Sequence, residues 1–215
     1  MIELNIKSLA LRFGEEYIFR DVNLSCKGGS LTLIKGKNGI GKTSLLQCIC
    51  HVIPRHFSAT VDGEVELNTG SKAVKVDRIL PQHFGYLMQE PDKQLCFPFI
   101  EEELFFGAEN TRRDVNDFNL DYELLTQMFP LLKWTDIETN ALSFGQKKVL
   151  LFSGLILKNP DVYLLDEPVA GLSDDFRERF SKLIAMLRER GKIVIVAEHS
   201  AYFDLMGSQQ WIMGQ

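Results

Sequence analysis

The sequence predicts an α/β domain, with a mainly parallel sheet covered on both faces and a helical stretch inserted into it. Three observations carry that prediction. Short, near-continuous apolar runs such as LTLIK (31–35), VYLLD (162–166) and KIVIVAEH (192–199) read as strands buried on both faces. A long helical pattern, DDFRERFSKLIAMLRER (174–190), lies between the last two of them. Residues 100–135 alternate charged and bulky apolar residues at helical spacing, in the place where an insertion would sit.

Taken in order, IELNI alternates apolar and polar residues and VNLSC partly does, as half-buried strands do. LTLIK runs straight into a glycine-rich loop, and TSLLQCIC (43–50) reads as a buried helix. DGEVEL (62–67) and FGYLM (84–88) are further strands. EEELFFGAEN (101–110) and DYELLTQMF (121–129) are helical. Ser143 is placed to cap a helix running through Lys158, and a last short strand lies near QQWIM. With 215 residues, 45% of them hydrophobic, the chain can build one sizeable core, or one core plus a small subdomain.

Composition excludes several classes. A formal net charge of -5 argues against an electrostatic nucleic-acid binder. The cysteines Cys26, Cys48, Cys50 and Cys96 form no CxxC pair, and no apolar signal segment opens the chain, so a reducing cytoplasm fits best. Cys48, Cys50, His51 and His56 cluster in sequence. Packing is the better reading than metal binding there, because Cys48 and Cys50 would point about 200° apart on a helix. The longest apolar stretch, VLLFSGLIL (149–157), is too short to span a bilayer.

The chemistry begins at GKNGIGKT (36–43), which fits G-x-x-x-x-G-K-[ST] in full, with a strand before it and a helix after. Such a loop wraps backbone N–H groups around a polyphosphate, and the glycines at 36, 39 and 41 permit the close turn. Lys42 can reach the β- and γ-phosphates, Thr43 can ligate Mg²⁺, and the helix N-terminus adds a favourable dipole. The nucleotide-binding set is Gly36, Asn38, Gly39, Gly41, Lys42, Thr43 and Ser44. In VYLLDEP (162–168) a buried strand ends in Asp166, placed to hold the Mg²⁺ shell. Glu167 follows and can polarise an attacking water. His199 ends the next strand, where it can hydrogen-bond a γ-phosphate or its water. Gln89 ends FGYLM and can contact the Mg²⁺ or the water.

These motifs, with LSFGQ (142–146) and Gly171-Leu172-Ser173, occur in an order that resembles the ATP-binding-cassette ATPases across nearly the whole chain. The resemblance implies a RecA-like P-loop core, an antiparallel β subdomain and an inserted α-helical subdomain, roughly 92–158, which carries the LSFGQ signature. All of it would be one nucleotide-binding domain, 1–215. In that family two chains pack head to tail, and each signature closes on the ATP held by the other. Ser143, Gly145 and Gln146 would therefore complete a partner's site. Phe144 departs from the family's usual glycine, Val169 from its threonine and Ser173 from its aspartate; the Phe144 ring is expected to point away from nucleotide. The family stacks an aromatic ring on adenine near the N-terminus; Phe13 is the better-placed candidate and Tyr17 the alternative.

QEPDKQLCFPFIEEELFFGAEN (89–110) is similar to the corresponding segment of energy-coupling-factor importers, including cobalt- and nickel-type systems. That resemblance implies an ATPase coupled to import of a vitamin or metal ion. Its partners would be a second such ATPase chain, a transmembrane scaffold and a substrate-capture membrane subunit, at the cytoplasmic face of the membrane. Leu95, Phe97, Phe99 and Ile100 are expected to form an apolar patch for a membrane partner's helix. The other reading is a non-transport cassette ATPase of DNA repair or translation. Such a protein would normally bring a coiled coil, a second cassette or a basic tail.

Overall fold

The computed structural model describes residues 1–70, 73–75, 81–111, 113–134 and 136–214. In chain order its strands are β1 (Glu3–Phe13), β2 (Glu16–Lys27), β3 (Leu31–Lys35), β4 (Thr60–Asn68), β5 (Ala73–Lys75), β6 (Phe84–Leu87), β7 (Val162–Asp166), β8 (Ile193–Ala197) and β9 (Gln209–Ile212). Its α-helices are α1 (Lys42–Ile49), α2 (Val52–Arg55), α3 (Ile100–Glu109), α4 (Val115–Met128), α5 (Phe144–Lys158) and α6 (Asp174–Glu189).

Two sheets result. One is antiparallel, in the order β2-β1-β4-β5. The other is parallel throughout, in the order β6-β7-β8-β3-β9. The parallel strands divide their side chains between two cores by simple alternation. Leu31, Leu33, Tyr163, Leu165, Val194 and Val196 face a core built with α3, α4, α5 and α6. Ile34, Val162, Leu164, Ile193, Ile195 and Ala197 face a second core, shared with α1 and the inner residues of β1 and β2. That is why LTLIK, VYLLD and IVIVA carry no polar face to see in the sequence. Each such leucine or isoleucine contributes about 1.5–3 kcal/mol on full burial. The helices between 100 and 158 thus share a core with the sheet.

Helix α4 begins six residues earlier than the apolar pattern suggests, at Val115. Asp114 caps it, accepting from the Asn116 and Asp117 N–H groups at 2.9 and 3.3 Å. One turn further on, Asp121 is 1% exposed and lies between two arginines. Arg190, at the end of α6, reaches it at 2.7 Å, and Arg113 pairs with it on the other side. Arg113 also donates to the last carbonyls of α5, Ile156 at 3.3 Å and Leu157 at 3.0 Å. Burial works to raise the Asp121 pKa, but the hydrogen bonds and charges of Arg190 and Arg113 outweigh it and hold the carboxyl below its ordinary range.

Strand β7 is bracketed by two aspartates. Asp161 stands just before it, with His83 Nδ1 at 2.6 Å and Lys192 Nζ at 4.0 Å. Asp166 is its last residue, at the opposite end.

Candidate functional site

The open end of the parallel sheet gathers the chemistry. Strand β3 delivers the chain to the loop at 36–41, and α1 starts at Lys42 behind Gly41. Gly41 has φ +106°, and a Cβ there would lie 2.7 Å from the Ile18 side chain, so only glycine fits this turn. No side chain caps α1, which leaves its first N–H groups directed at the loop's mouth. Asn38 and Gly39 are exposed at the loop tip. Lys42 is 6% exposed and folds back along the loop, its Nζ donating to the carbonyls of Gly36 at 2.9 Å and Lys37 at 3.0 Å.

Asp166 faces this loop from the end of β7. It is 2% exposed, takes a hydrogen bond from Thr43, and its Oδ2 is buried with no hydrogen-bond partner. Burial pushes its pKa up, with Glu167 adding to the rise, while Thr43, Lys148 and Lys42 oppose it. A buried carboxylate oxygen without a partner beside a threonine hydroxyl is a donor set suited to a hard divalent cation such as Mg²⁺.

Glu167 turns the chain away from the sheet at φ +45°. Its N–H donates to the Ala197 carbonyl at 2.9 Å. Its carboxylate accepts from Gln89 Nε2 at 2.9 Å and lies 3.4 Å from His199 Nδ1. So Gln89, Glu167 and His199, far apart in the sequence, meet at one point.

Two charged residues here had no role assigned from the sequence: Glu198, and Lys148, which with Lys147 stands where the resembled family commonly has a Gln-Arg pair. Glu198 is 2% exposed; its Oε1 accepts from the His199 and Ser200 N–H groups at 2.9 and 3.1 Å and lies 3.3 Å from His199 Nδ1. Lys148 is fully buried in α5, donating to the carbonyls of Glu167 at 2.5 Å and Ala170 at 3.2 Å. Desolvation brings its pKa down to about 8, against the pull of the Glu167, Glu198 and Asp166 charges. A charge closing an all-apolar strand was the available signal for Glu198. A lysine on the buried face of an apolar helix was the one for Lys148.

The signature residues form the start of α5. Ser143 is the N-cap in a reciprocal box: its hydroxyl accepts from the Gln146 N–H at 3.3 Å, and Gln146 Oε1 accepts from the Ser143 N–H at 2.8 Å. Gln146 therefore spends its amide oxygen on its own helix. Gly145 packs on Leu172, where a Cβ would come within 3.2 Å. Phe144 lies with its ring against Gly171 and 5.0 Å from Lys148 Nζ, and keeps 42% of its surface exposed. Val169 is buried, and Ser173 caps α6 by accepting from the Phe176 N–H at 3.4 Å. Phe13 ends β1 opposite Glu16 with 38% of its surface exposed. Tyr17 already has the Arg20 guanidinium 3.6 Å above its ring.

The apolar patch is smaller than the sequence suggests. Ile100 is fully buried and Leu95 packs against the core, while Phe97 is half-buried against Phe106 at 4.9 Å and Phe99 is exposed. The surface feature is instead a cleft of about 650 Å³ whose walls include Tyr86, Gln94, Cys96, Phe106, Leu155 and Lys158. Gln94 anchors one wall: its Oε1 accepts from the Met88 N–H at 2.8 Å and its Nε2 donates to the Tyr86 carbonyl at 2.7 Å.

A family model described as ABC transporter matches residues 19–170. An energy-coupling factor transporter ATP-binding protein of Thermotoga maritima is 26% identical over 95% of this chain and 76% of its own length. One from Clostridium perfringens is 27% identical over 91% of this chain and 68% of its own. The chain spans 42% of a longer relative, a putative ABC transporter ATP-binding protein of Sulfurisphaera tokodaii, at 29% identity. Among solved structures, CbiO1 from Clostridium perfringens, part of the ABC transporter complex CbiONQ, superposes with a TM-score of 0.76 at 25% identity, covering 98% of this chain and 84% of that one. Among the described residues no helix is long and apolar enough to cross a membrane.

Proposed function

This chain belongs to the ABC transporter family, and we propose that it is the ATP-hydrolysing subunit of an energy-coupling-factor-type importer of a vitamin or metal ion. The observation that carries the catalytic part is the convergence of Gln89, Glu167 and His199 beside the Lys42 loop and the partnerless oxygen of Asp166. Residues 1–215 act as one nucleotide-binding domain, with 92–158 as the helical subdomain that carries the signature.

The loop N–H groups, from Gly36 to Ser44, take the phosphates, and Lys42 exchanges its two loop carbonyls for β- and γ-phosphate oxygens. Asn38 closes the loop's outer rim, and Phe13 stacks on the adenine. Thr43, Asp166 and Gln89 would hold Mg²⁺, which would supply positive charge to offset that of the phosphates. Glu167 accepts the proton of the attacking water, and Gln89 and His199 fix its carboxylate and the water in line. Ser143 through its hydroxyl and Gly145 through its N–H, at the start of α5, offer donors to the γ-phosphate bound by a second ATPase chain. ATP thereby closes the pair, and hydrolysis releases it.

The cleft beside β6 suits a helix from a transmembrane scaffold. Its wall at Gln94 lies a few residues beyond Gln89, so docking there bears on the catalytic end of the same segment. The protein would then sit at the cytoplasmic face of the membrane with no nucleic-acid partner. A tagged pull-down from detergent-solubilised source membranes tests this reading. Recovery of a scaffold membrane protein, with a sister ATPase or a small capture subunit, is expected; recovery of soluble partners alone rejects it.

A further inference from the structure

Helix α5 grips the turn at 167–171 through two side chains one helical turn apart. Lys148 donates to the carbonyls of Glu167 and Ala170, at 2.5 and 3.2 Å. Phe144, four residues earlier and so on the same helix face, lays its ring over the turn's far end. A Cβ at Gly171 would lie 2.9 Å from that ring, and the Lys148 ammonium is 5.0 Å from its centroid. The turn they hold is strained: Glu167 sits at φ +45°, a conformation that a non-glycine residue keeps only where its surroundings fix it. The Glu167 amide is fixed from the sheet side by Ala197, and its carbonyl from the helix side by Lys148. A methionine of similar length fills the space of Lys148 without desolvating a charge. What it lacks is the two hydrogen bonds to the turn.

We propose that Phe144 and Lys148 are positioning residues that clamp the Glu167 turn in its left-handed conformation and tie Glu167 to the helix start at Ser143. This rests on Glu167 being the general base. The two ends of the clamp then serve different nucleotides: Glu167 acts on the ATP held by its own chain, and Ser143 on the ATP held by the partner. A pull on the first turn of α5 reaches Glu167 through a single ammonium five residues away. The clamp also assigns Phe144 a job, as the lid that keeps water off Lys148.

The test compares Lys148→Met, Lys148→Arg, Phe144→Ala and the Lys148→Met/Phe144→Ala double variant in the purified transporter complex, with Glu167→Gln alongside. Misplacing a reacting group by about 1 Å costs up to ~100-fold, so Lys148→Met is expected to lower kcat roughly 30-fold on that scale. The KM for ATP stays within about twofold, because the phosphate loop is untouched. Lys148→Arg, which keeps donors for both carbonyls, recovers much of the loss. The double variant matches Lys148→Met, since the ring acts through the ammonium. An unchanged kcat in Lys148→Met, a KM that rises as kcat falls, or losses that simply add in the double variant each overturn the clamp. If Lys148→Met does not fold, Phe144→Ala decides: a lower kcat at constant KM supports the clamp and a parental kcat rejects it. Loss of turnover in Glu167→Gln with parental turnover in Lys148→Met rejects the clamp alone. Parental turnover in both rejects the general-base reading, and the clamp with it.

Discussion

The two ends of β7 carry the same residue type and opposite electrostatics. At its start, Asp161 is held by His83 and Lys192, and nearby Asp121 is buried between Arg113 and Arg190. At its end, Asp166 leaves one oxygen buried without a partner, and Glu167 is strained. The lower end pairs its carboxylates with cations of the same chain. The upper end leaves charge and geometry unsettled, as a site does that is completed by a ligand. Aspartates a strand apart thus differ in kind: Asp161 is paired within the chain, and Asp166 keeps an oxygen without a partner.

That contrast predicts where a substitution acts. The largest effect is expected at the upper end, on rate: Glu167→Gln should lower ATP turnover about 1,000-fold, on the scale of losing a positioned general base, and trap an ATP-bound dimer detectable by size-exclusion chromatography. Unfolding midpoints should barely move. At the lower end, Asp121→Asn should cost about 3 kcal/mol of stability, because two arginines lose their buried counter-charge. Its pH signature has a definite sign. The lowered pKa of Asp121 means its contribution is present above the unfolded-state value and lost as pH falls through the folded one. The parent should therefore weaken below about pH 4, and the Asp121→Asn variant should lack that limb in acid unfolding curves.

Asp166→Asn sharpens the comparison further, since it should separate the two roles in one residue. Its raised pKa makes the ionised form a burden at neutral pH, with the favourable contribution confined to acid. Without nucleotide or metal, the variant should gain about 1 kcal/mol in urea unfolding while losing Mg²⁺-dependent turnover. The smallest effect belongs to Asp161→Asn. Its pair with His83 is partly exposed, so a loss of about 0.5 kcal/mol or less is expected, with ATP turnover intact. A large activity loss at Asp161, or a large stability loss at Glu167, would break the division.

The glycine-rich loop and the end of β7 were legible in the sequence because the residues that form them are adjacent in the chain. The parallel strands were legible because full burial leaves a continuous apolar run. The capping of α5 by Ser143 followed from a local rule of the same kind. Lys148 was not legible in its role, because its partners are backbone carbonyls far along the chain, and any residue type supplies those. Glu198 was not legible either, because its partners are the N–H groups of the next two residues, which any sequence would supply. The apolar set 95–100 misled for a different reason: hydrophobicity does not say which face of a short segment turns inward, and Ile100 turned in. The early start of α4 was hidden because Val115 and Leu120 are exposed and break the amphipathic pattern that would mark it.

Among the described residues, strand β6 is the last in its sheet, with its outward groups facing no further strand. An open edge of that kind is a template on which another chain can add itself and begin to aggregate. Here the amide of Gln94 takes the Met88 N–H and the Tyr86 carbonyl, and Lys158 takes the carbonyl of Phe84. Every second residue of the edge is thus occupied by a side chain from the same molecule. The β6 edge is thereby blunted against pairing with a strand of another chain.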